Sequence, residues 1–543
     1  MQTNYKQVLS RILGEIPLTA EFYFQLKNQS EPGTRYSLKN IQARLPQMLE
    51  DVQNNRKTIE NPEKIFVFTS LHYWIEEAAT IALYFAAQGH KVTFGYLPYA
   101  DWKNDVSKFD LRRQDLYTKK VFQDAAKVMN IVSFLPIHPS YKKLPDELNQ
   151  IIEDISRYDA QYTLQVEDID EQNPLFKMRL ERNENFARMF YRWIQTNQPD
   201  HIIIPNGTIQ EMGIAYRMAK WLKIPVVTYE FGEQRKRIWI AQNHEVMRQE
   251  TDELWKARKE LPLAESDMEK VRAMFSARQH ADLWENFSRR WQGSDRVGEE
   301  KVREDLKLDD RPVVFLATNV LGDSLTLGRQ TFSRNMAEWI ERTVQYFVAR
   351  TDTQLVIRVH PGEQLTHGTS MVDVVHSLLP TLPEHIHLIK PTDKTNSYDV
   401  VDIASIGLVY TTTMGLEMAM SGVPVIVAGQ THYRNRGFTL DPDNWVAYYK
   451  TIGAILEDPV STVMTEDQVK AAWKYAYTFF FEYAHPFPWH LVKMWDDFDK
   501  RPLSYVLSEE GQAEYGESFD YLIGKPIDWN KILTDKKEDD DTE

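Results

Sequence analysis

Apolar residues along this chain follow two alternating patterns. Short continuous runs bounded by turn residues read as buried strands, and stretches with apolar positions every three or four residues read as helices. The runs are Ile65-FVFTS, Lys91-VTFGYLPY, His201-IIIPNG and Ile224-PVVTYEFG, then Pro312-VVFLATN, Gln354-LVIRVHP, His385-IHLIKP, Ile406–Tyr410 and Val423–Val427. Helical patterns lie between them at Glu76–Gln88, closed by Gly89, at Thr208–Leu222 and Asn335–Ala349, in a short Asn396-SYDVVDIAS segment, and from Gly415 to Gly422. Strand, helix, strand in sequence is the signature of a parallel sheet. The pattern predicts two such α/β domains, at 61–290 and 312–460, joined by a charged linker at 291–311. A helical segment at 1–60 precedes them, with Leu38, Ile41, Leu45, Met48, Leu49 and Val52 at helical spacing despite Pro46. Helices at 461–534, rich in aromatics, are expected to pack across the domain junction, and 535–543 reads as an acidic disordered tail.

The chain is organised around Gly407–Thr439. There a buried strand ends in Thr411, Thr412 and Thr413, a helix opens at Gly415-Leu-Glu417, and a second strand ends at Gly429. The carboxyl edge of an open parallel sheet is where anionic ligands bind, because helix N–H groups and the helix dipole point there. Three hydroxyls beside that edge are donors for phosphate oxygens; one of them is equally an N-cap. Arg358, His360 and Pro361 end another strand at the same edge, with Arg358 and His360 two apart and so on one face. Asn319, Asp323 and Ser324 fill a polar loop after Pro312-VVFLATN, and Lys390 ends His385-IHLIKP. In the first domain Glu230 stands at a strand end before Gly232, a placement for a general base, with Glu233 second and Glu245 third. The basic run Arg235-Lys236-Arg237 reads either as an anion-binding patch for the acceptor or as a solvated face.

Composition narrows the chemistry. Of 543 residues, 42% are hydrophobic and 26% charged, as in ordinary globular proteins. The net charge of −15 argues against general nucleic-acid binding and against diffuse attraction to anionic lipid. There is no cysteine, which excludes disulfides, thiolate metal sites and cysteine nucleophiles. The start reads as no signal peptide, and no stretch of 18 apolar residues occurs, so the expectation is a cytoplasmic protein, at most peripheral to a membrane. The histidines show no compact ligand spacing, and the expectation is metal-independent chemistry with no cofactor. The 14 tryptophans suit either a carbohydrate site or a core.

In order along the chain, RVHP, Asn396-SYD and TTTMGLEMAMSGVPVIVAGQTHYRNRGFT resemble the bacterial capsule polysaccharide biosynthesis family, which includes Kdo transferases and enzymes using sialic acid. The resemblance covers about residues 311–440 well and 198–245 loosely. It implies a GT-B-like fold of two Rossmann-like parallel-sheet domains facing a cleft. It also implies a nucleotide-sugar donor, CMP- or UDP-linked, held by His360-Pro361 and Thr411-Thr412-Thr413, with Glu417, Gly429 and Tyr433 matching further family positions. The threonine triplet departs from the more usual Ser-Ser or Ser-Thr, which leaves the nucleotide base open.

On this reading the chain is a glycosyltransferase acting on a surface polysaccharide or glycolipid. Arg358 and His360 stabilise the leaving phosphate and Glu230 takes the acceptor proton. Two other readings share the fold: a polyol-phosphate transferase or nucleotide-sugar 2-epimerase, and a non-catalytic nucleotide-sugar-binding assembly subunit. A basic second cleft discriminates the phosphotransferase, more carboxylates around the sugar ring the epimerase, and binding without turnover the assembly subunit.

Overall fold

The computed structural model describes residues 5–32, 35–135, 143–279 and 295–529. The expected acidic tail and the first residues of the expected linker lie outside them. Nine of the strands fall where the apolar runs predict. They are β1 (Lys64–Leu71), β2 (Lys91–Tyr99), β4 (His201–Pro205), β5 (Val226–Phe231), β7 (Val313–Ala317), β8 (Gln354–Arg358), β9 (Ile386–Ile389), β10 (Ile406–Val409) and β11 (Val425–Val427). Three short strands complete the set: β3 (Asn130–Ser133), β6 (Arg237–Gln242) and β12 (Ala484–Pro486).

The strands form two sheets, so the fold is α/β with two Rossmann-like layers. The first has the order β12-β6-β5-β4-β1-β2-β3 and the second β11-β10-β7-β8-β9. The second is parallel throughout. The first is parallel from β5 to β3, with β6 and β12 added antiparallel at one edge. Helices cover both faces, which is why β1, β7, β8 and β10 are buried almost continuously rather than at alternate positions. Helix His72–Ala87 illustrates this, since it is buried along nearly its whole length and ends at Gly89. Gly89 has φ +95°, and a Cβ there would stand 2.5 Å from the Lys57 carbonyl oxygen.

Packing crosses the boundary that chain order implies. Helices Asp252–Arg258 and Glu265–Gln279 contribute Leu254, Val271, Met274 and Phe275 to a core shared with Val313, Val409 and Val425 of the second sheet. In return the C-terminal segment passes through a π-helical turn, Thr478–Tyr483, and pairs as β12 with β6 of the first sheet. Trp489, Phe498, Leu503 and Phe519 then join the core under Ile65, Val67 and Val227. Each half therefore completes the other's core, and the carboxyl ends of both sheets are brought together.

Candidate functional site

At the carboxyl edge of the second sheet the loops hold one another. Asn319, after β7, accepts the Thr411 N–H through Oδ1 at 3.2 Å. The hydroxyl of Thr318 accepts the His360 N–H at 3.1 Å. Thr411 donates its own hydroxyl to the Leu325 carbonyl at 2.7 Å, and Thr412 Oγ1 accepts from the Met414 N–H at 3.4 Å. Thr413 is the residue before the helix but makes no side-chain cap; its hydroxyl accepts from Arg278 at 3.3 Å. Helix Met414–Met420 has only seven residues, so the dipole expected at its start is small. The loop's shape is set from below: Tyr433 is fully buried and donates to the Thr412 carbonyl at 2.5 Å. Gly415 is required at its position, because a Cβ would meet the Tyr433 hydroxyl at 2.5 Å. Gly429 is equally tight, 2.9 Å from Thr411 Cγ2 and from the Tyr410 carbonyl.

Arg358 and His360 do not share a strand face as the two-residue spacing implies. β8 ends at Arg358, and His360 begins a 3-10 turn, Pro361–Leu365, because Pro361 cannot continue the ladder. The Arg358 guanidinium is buried and donates to the Lys390 carbonyl at 2.6 Å and to Ser397 Oγ at 3.4 Å. Burial lowers its pKa to about 10, with Asp393 opposing that shift. It has no carboxylate within ion-pair distance among the described residues, so its charge is offset mainly by dipoles. His360 accepts the Gly362 N–H through Nδ1 at 3.0 Å, which places the ring proton of the neutral form on Nε2. Lys390 enters the site through its backbone; its side chain is exposed. Asp323 folds back on Ser324, accepting its N–H at 2.7 Å, and burial raises the Asp323 carboxyl.

Across from these loops, Glu230 is the penultimate residue of β5. It is buried, accepts from Asn206 Nδ2 at 3.0 Å and from the Phe231 N–H at 3.2 Å, and burial pushes its pKa up to about 7 against those two bonds. Asn206 follows β4, which pairs with β5, and has a left-handed backbone at φ +60°. Tyr162, from helix Asp146–Leu164, is partly buried, and burial together with the negative charges of Asp323 and Glu230 raises its hydroxyl pKa. Arg278 joins the two sides directly: it pairs with Glu233, three residues past Glu230, at 3.3 Å and with Glu417 at 2.9 Å. Glu417 also accepts from the Tyr398 hydroxyl. Glu417 thus braces the loop from inside rather than facing a ligand, and Glu233 is engaged as an ion-pair partner. Glu245, the third base candidate, is held between Arg217 at 2.5 Å and Arg248 at 3.2 Å.

The basic run is not a free patch. Arg235 pairs with the fully buried Asp497 at 2.9 Å, and Arg237 donates to the carbonyls of Phe481 and Ala484 at 2.8 and 2.9 Å. Arg237 anchors the returning C-terminal segment to β6 and Arg235 anchors it to the turn before β6, which corrects their expected part in acceptor binding. A cavity of about 500 Å³ opens instead between helix Asp146–Leu164 and the loop Thr326–Asn335, lined by Tyr158, Thr208, Arg217, Arg248 and Gly328 among others. Thr208 connects it to Glu230, since its N–H and hydroxyl both donate to Asn206 Oδ1 at 3.0 and 2.6 Å.

No family model and no curated protein matches the chain. Solved structures do. The beta Kdo 2,4 transferase KpsC of Thermosulfurimonas dismutans aligns with TM-score 0.32 and 14% identity over 50% of this chain and 79% of that one. The beta Kdo 2,7 transferase KpsC of the same organism gives 0.30 and 14% over 55% and 87%. UDP-GlcNAc 2-epimerase from Neisseria meningitidis, bound to UDP-GlcNAc, gives 0.24 and 13% over 75% and 94%. Scores and identities of this size argue for no particular activity. Among the described residues no helix is long and apolar enough to cross a membrane, and no group of three or more His, Asp or Glu side chains is placed to hold a metal ion.

Asn206 and Arg278 escaped the sequence reading. Asn206-Gly207 directly after an apolar run is a turn signal that marks the strand end. Arg278 sits in an unremarkable charged helix, and no local pattern separates it from a solvated arginine.

Proposed function

We propose that the chain is a glycosyltransferase moving a sugar from a nucleotide-activated donor to a saccharide or glycolipid acceptor. One observation carries this reading: the carboxyl ends of the parallel strands of two sheets meet, with the Glu230 carboxyl, its pKa raised to about 7, on one side and the buried Arg358, which has no carboxylate partner among the described residues, on the other. The donor's phosphates lie against Arg358, His360 and Thr411–Thr413, with Asn319, Asp323, Ser324, Pro361, Lys390, Gly415, Gly429 and Tyr433 shaping that pocket. Breaking the sugar–phosphate bond puts negative charge on the leaving oxygen, and Arg358 with the His360 Nε2–H stabilises it. Glu230, as a carboxylate, accepts the proton of the acceptor hydroxyl. The acceptor enters through the 500 Å³ cavity beside Thr208. The reaction runs without a metal cofactor.

The phosphotransferase alternative rested on Arg235–Arg237 as a basic second cleft, and those arginines are engaged elsewhere. A thermal-shift screen with CMP, UDP, GDP and CDP tests the donor half of the reading, since a ligand that binds only the folded state raises its stability. One nucleotide is expected to raise Tm, and that shift is expected to be lost in Arg358→Gln. No shift with any of the four counts against a nucleotide-sugar donor. Turnover abolished by EDTA and restored by a divalent ion counts against metal independence.

A further inference from the structure

We propose that Arg278 is a positioning residue that orients the Thr413 hydroxyl toward the donor phosphate and ties it to the loop behind Glu230. The inference rests on the reading that the threonine loop receives the donor's phosphates.

Arg278 lies in the last turn of helix Glu265–Gln279 and is 6% exposed. Its guanidinium lies beside the edge-on pair of rings Phe275 and Phe480, 5.3 and 5.5 Å from their centroids. Nη1 reaches Glu233 at 3.3 Å, and Nη2 reaches Glu417 at 2.9 Å and Thr413 Oγ1 at 3.3 Å. Burial works against the charge, and Glu417 and Glu233 more than offset it, so the group stays a cation. Glu417 is in turn fixed by the Tyr398 hydroxyl.

A buried ion pair is often only structural, and the chain has such a case. Asp159 and Arg179 pair at 2.6 Å wholly within the first half. Arg278 differs in what it joins. One partner is three residues past Glu230, another is the last of the three threonines, and the third lies on the helix that follows them. The bond to Thr413 also has a direction. A hydroxyl has one proton to donate and two lone pairs. Thr413 uses a lone pair to accept from Arg278, which leaves its proton to donate, and a phosphate oxygen is an acceptor. Rigid planar guanidinium geometry sets that orientation in a way that a flexible ammonium does not.

The test uses the full-length protein and two probes, the nucleotide that gives the largest thermal shift among CMP, UDP, GDP and CDP, and its parent nucleoside. Hydrogen bonds to charged groups are worth about tenfold or more in affinity. Arg278→Lys is expected to weaken the nucleotide by about tenfold while the nucleoside changes less than about twofold. Thr413→Val should lose the same factor, Thr413→Ser should retain wild-type affinity, and the double variant Arg278→Lys/Thr413→Val should lose no more than either single one. Equal weakening of nucleotide and nucleoside, or additive losses, overturns the proposal, because a purely structural arginine does not distinguish the phosphate. If Arg278→Lys fails to fold, Tyr398→Phe loosens Glu417 instead and is expected to show the same phosphate-selective loss; nucleoside and nucleotide weakened alike there overturns it too. Failure of the wild type to bind any nucleotide removes the functional reading and this inference together. Wild-type nucleotide binding that is indifferent to Arg278→Lys and Thr413→Val removes this inference alone.

Discussion

Asn206 can present only its amide nitrogen to Glu230. Its Oδ1 is already taken by the N–H and the hydroxyl of Thr208, and Nδ2 donates to Glu230 Oε2 at 3.0 Å. The bond favours the carboxylate, while burial favours the protonated acid, and burial wins by enough to leave the group near neutrality.

The rate of transfer is therefore expected to rise with pH and level off above a midpoint of about 7, since only the carboxylate accepts a proton. Glu230→Gln should lower kcat by about 10²–10⁴-fold and leave nucleotide affinity unchanged. Stability runs the other way. The folded pKa lies above the unfolded one, so the protonated form is favoured by folding; that contribution is full below about 4.5 and is lost as pH rises through 7. Glu230→Gln should consequently melt above wild type at pH 8, by no more than roughly 3 kcal/mol, with the gap closing by pH 5. A pH–rate profile and paired melts at the two pH values check both parts; transfer at the wild-type rate places the base elsewhere.

Removing the amide should move the same midpoint upward. Asn206→Ala deletes the bond that lowers the Glu230 pKa and leaves burial unopposed on that oxygen. The expected profile keeps its shape, shifts above 7, and leaves nucleotide binding alone. A midpoint that does not move shows that the titrating group is not Glu230.

His360 has two jobs that separate by size. Capping the Gly362 N–H through Nδ1 is worth about 1 kcal/mol of stability. Donating to the leaving phosphate is worth about 2.7–4 kcal/mol of transition-state energy. His360→Ala should thus lower kcat by roughly 100-fold or more while Tm falls only modestly. Measuring kcat and Tm on one preparation decides; an early melt with normal turnover reduces His360 to a turn residue.

Gly415→Ala should impair nucleotide binding, because the added Cβ would lie 2.5 Å from the Tyr433 hydroxyl that shapes the threonine loop. Tyr433→Phe removes that oxygen and should partly rescue Gly415→Ala, although alone it leaves the Thr412 carbonyl with only the Gly415 N–H as donor. Titrations of the single and double variants check the rescue; additive losses refute the clash as the cause.

Much of this was legible because buried parallel strands advertise themselves. β1, β4, β5, β7, β8 and β10 are buried on both faces and mostly apolar, and their ends mark where loops gather. Asn319, Arg358, His360 and Thr411–Thr413 were therefore placed on one sheet edge from sequence, and the structure puts them there. What sequence spacing misjudged was direction. β8 stops before His360, so period-two reasoning did not apply to it. Arg237 opens β6, whose apolar residues Ile238-Trp239-Ile240 directly follow the basic run and so lack a turn signal before them. Arg278 depends on tertiary contacts more than a hundred residues away at Thr413, which no local pattern encodes.

One contact bears on how the chain folds. Glu167 belongs to the first half, yet its Oε1 and Oε2 accept the N–H groups of Met336 and Ala337 at 2.8 and 2.9 Å, at the start of helix Met336–Val348. Beside it, Gln165 accepts the His367 N–H at 2.7 Å, and Gly322 and Gly368 admit the Gln165–Val166 backbone so closely that a Cβ on either would lie within 2.5 Å of it. A fragment spanning 312–460 would start that helix with two open donors, lose the lining of its core from Leu254 to Phe275, and expose the glycine-lined grooves. The two sheets look like separable domains in a topology diagram, but the chain is expected to unfold in one cooperative step. A single urea transition whose m-value matches the surface of the entire protein is the thermodynamic form of that dependence.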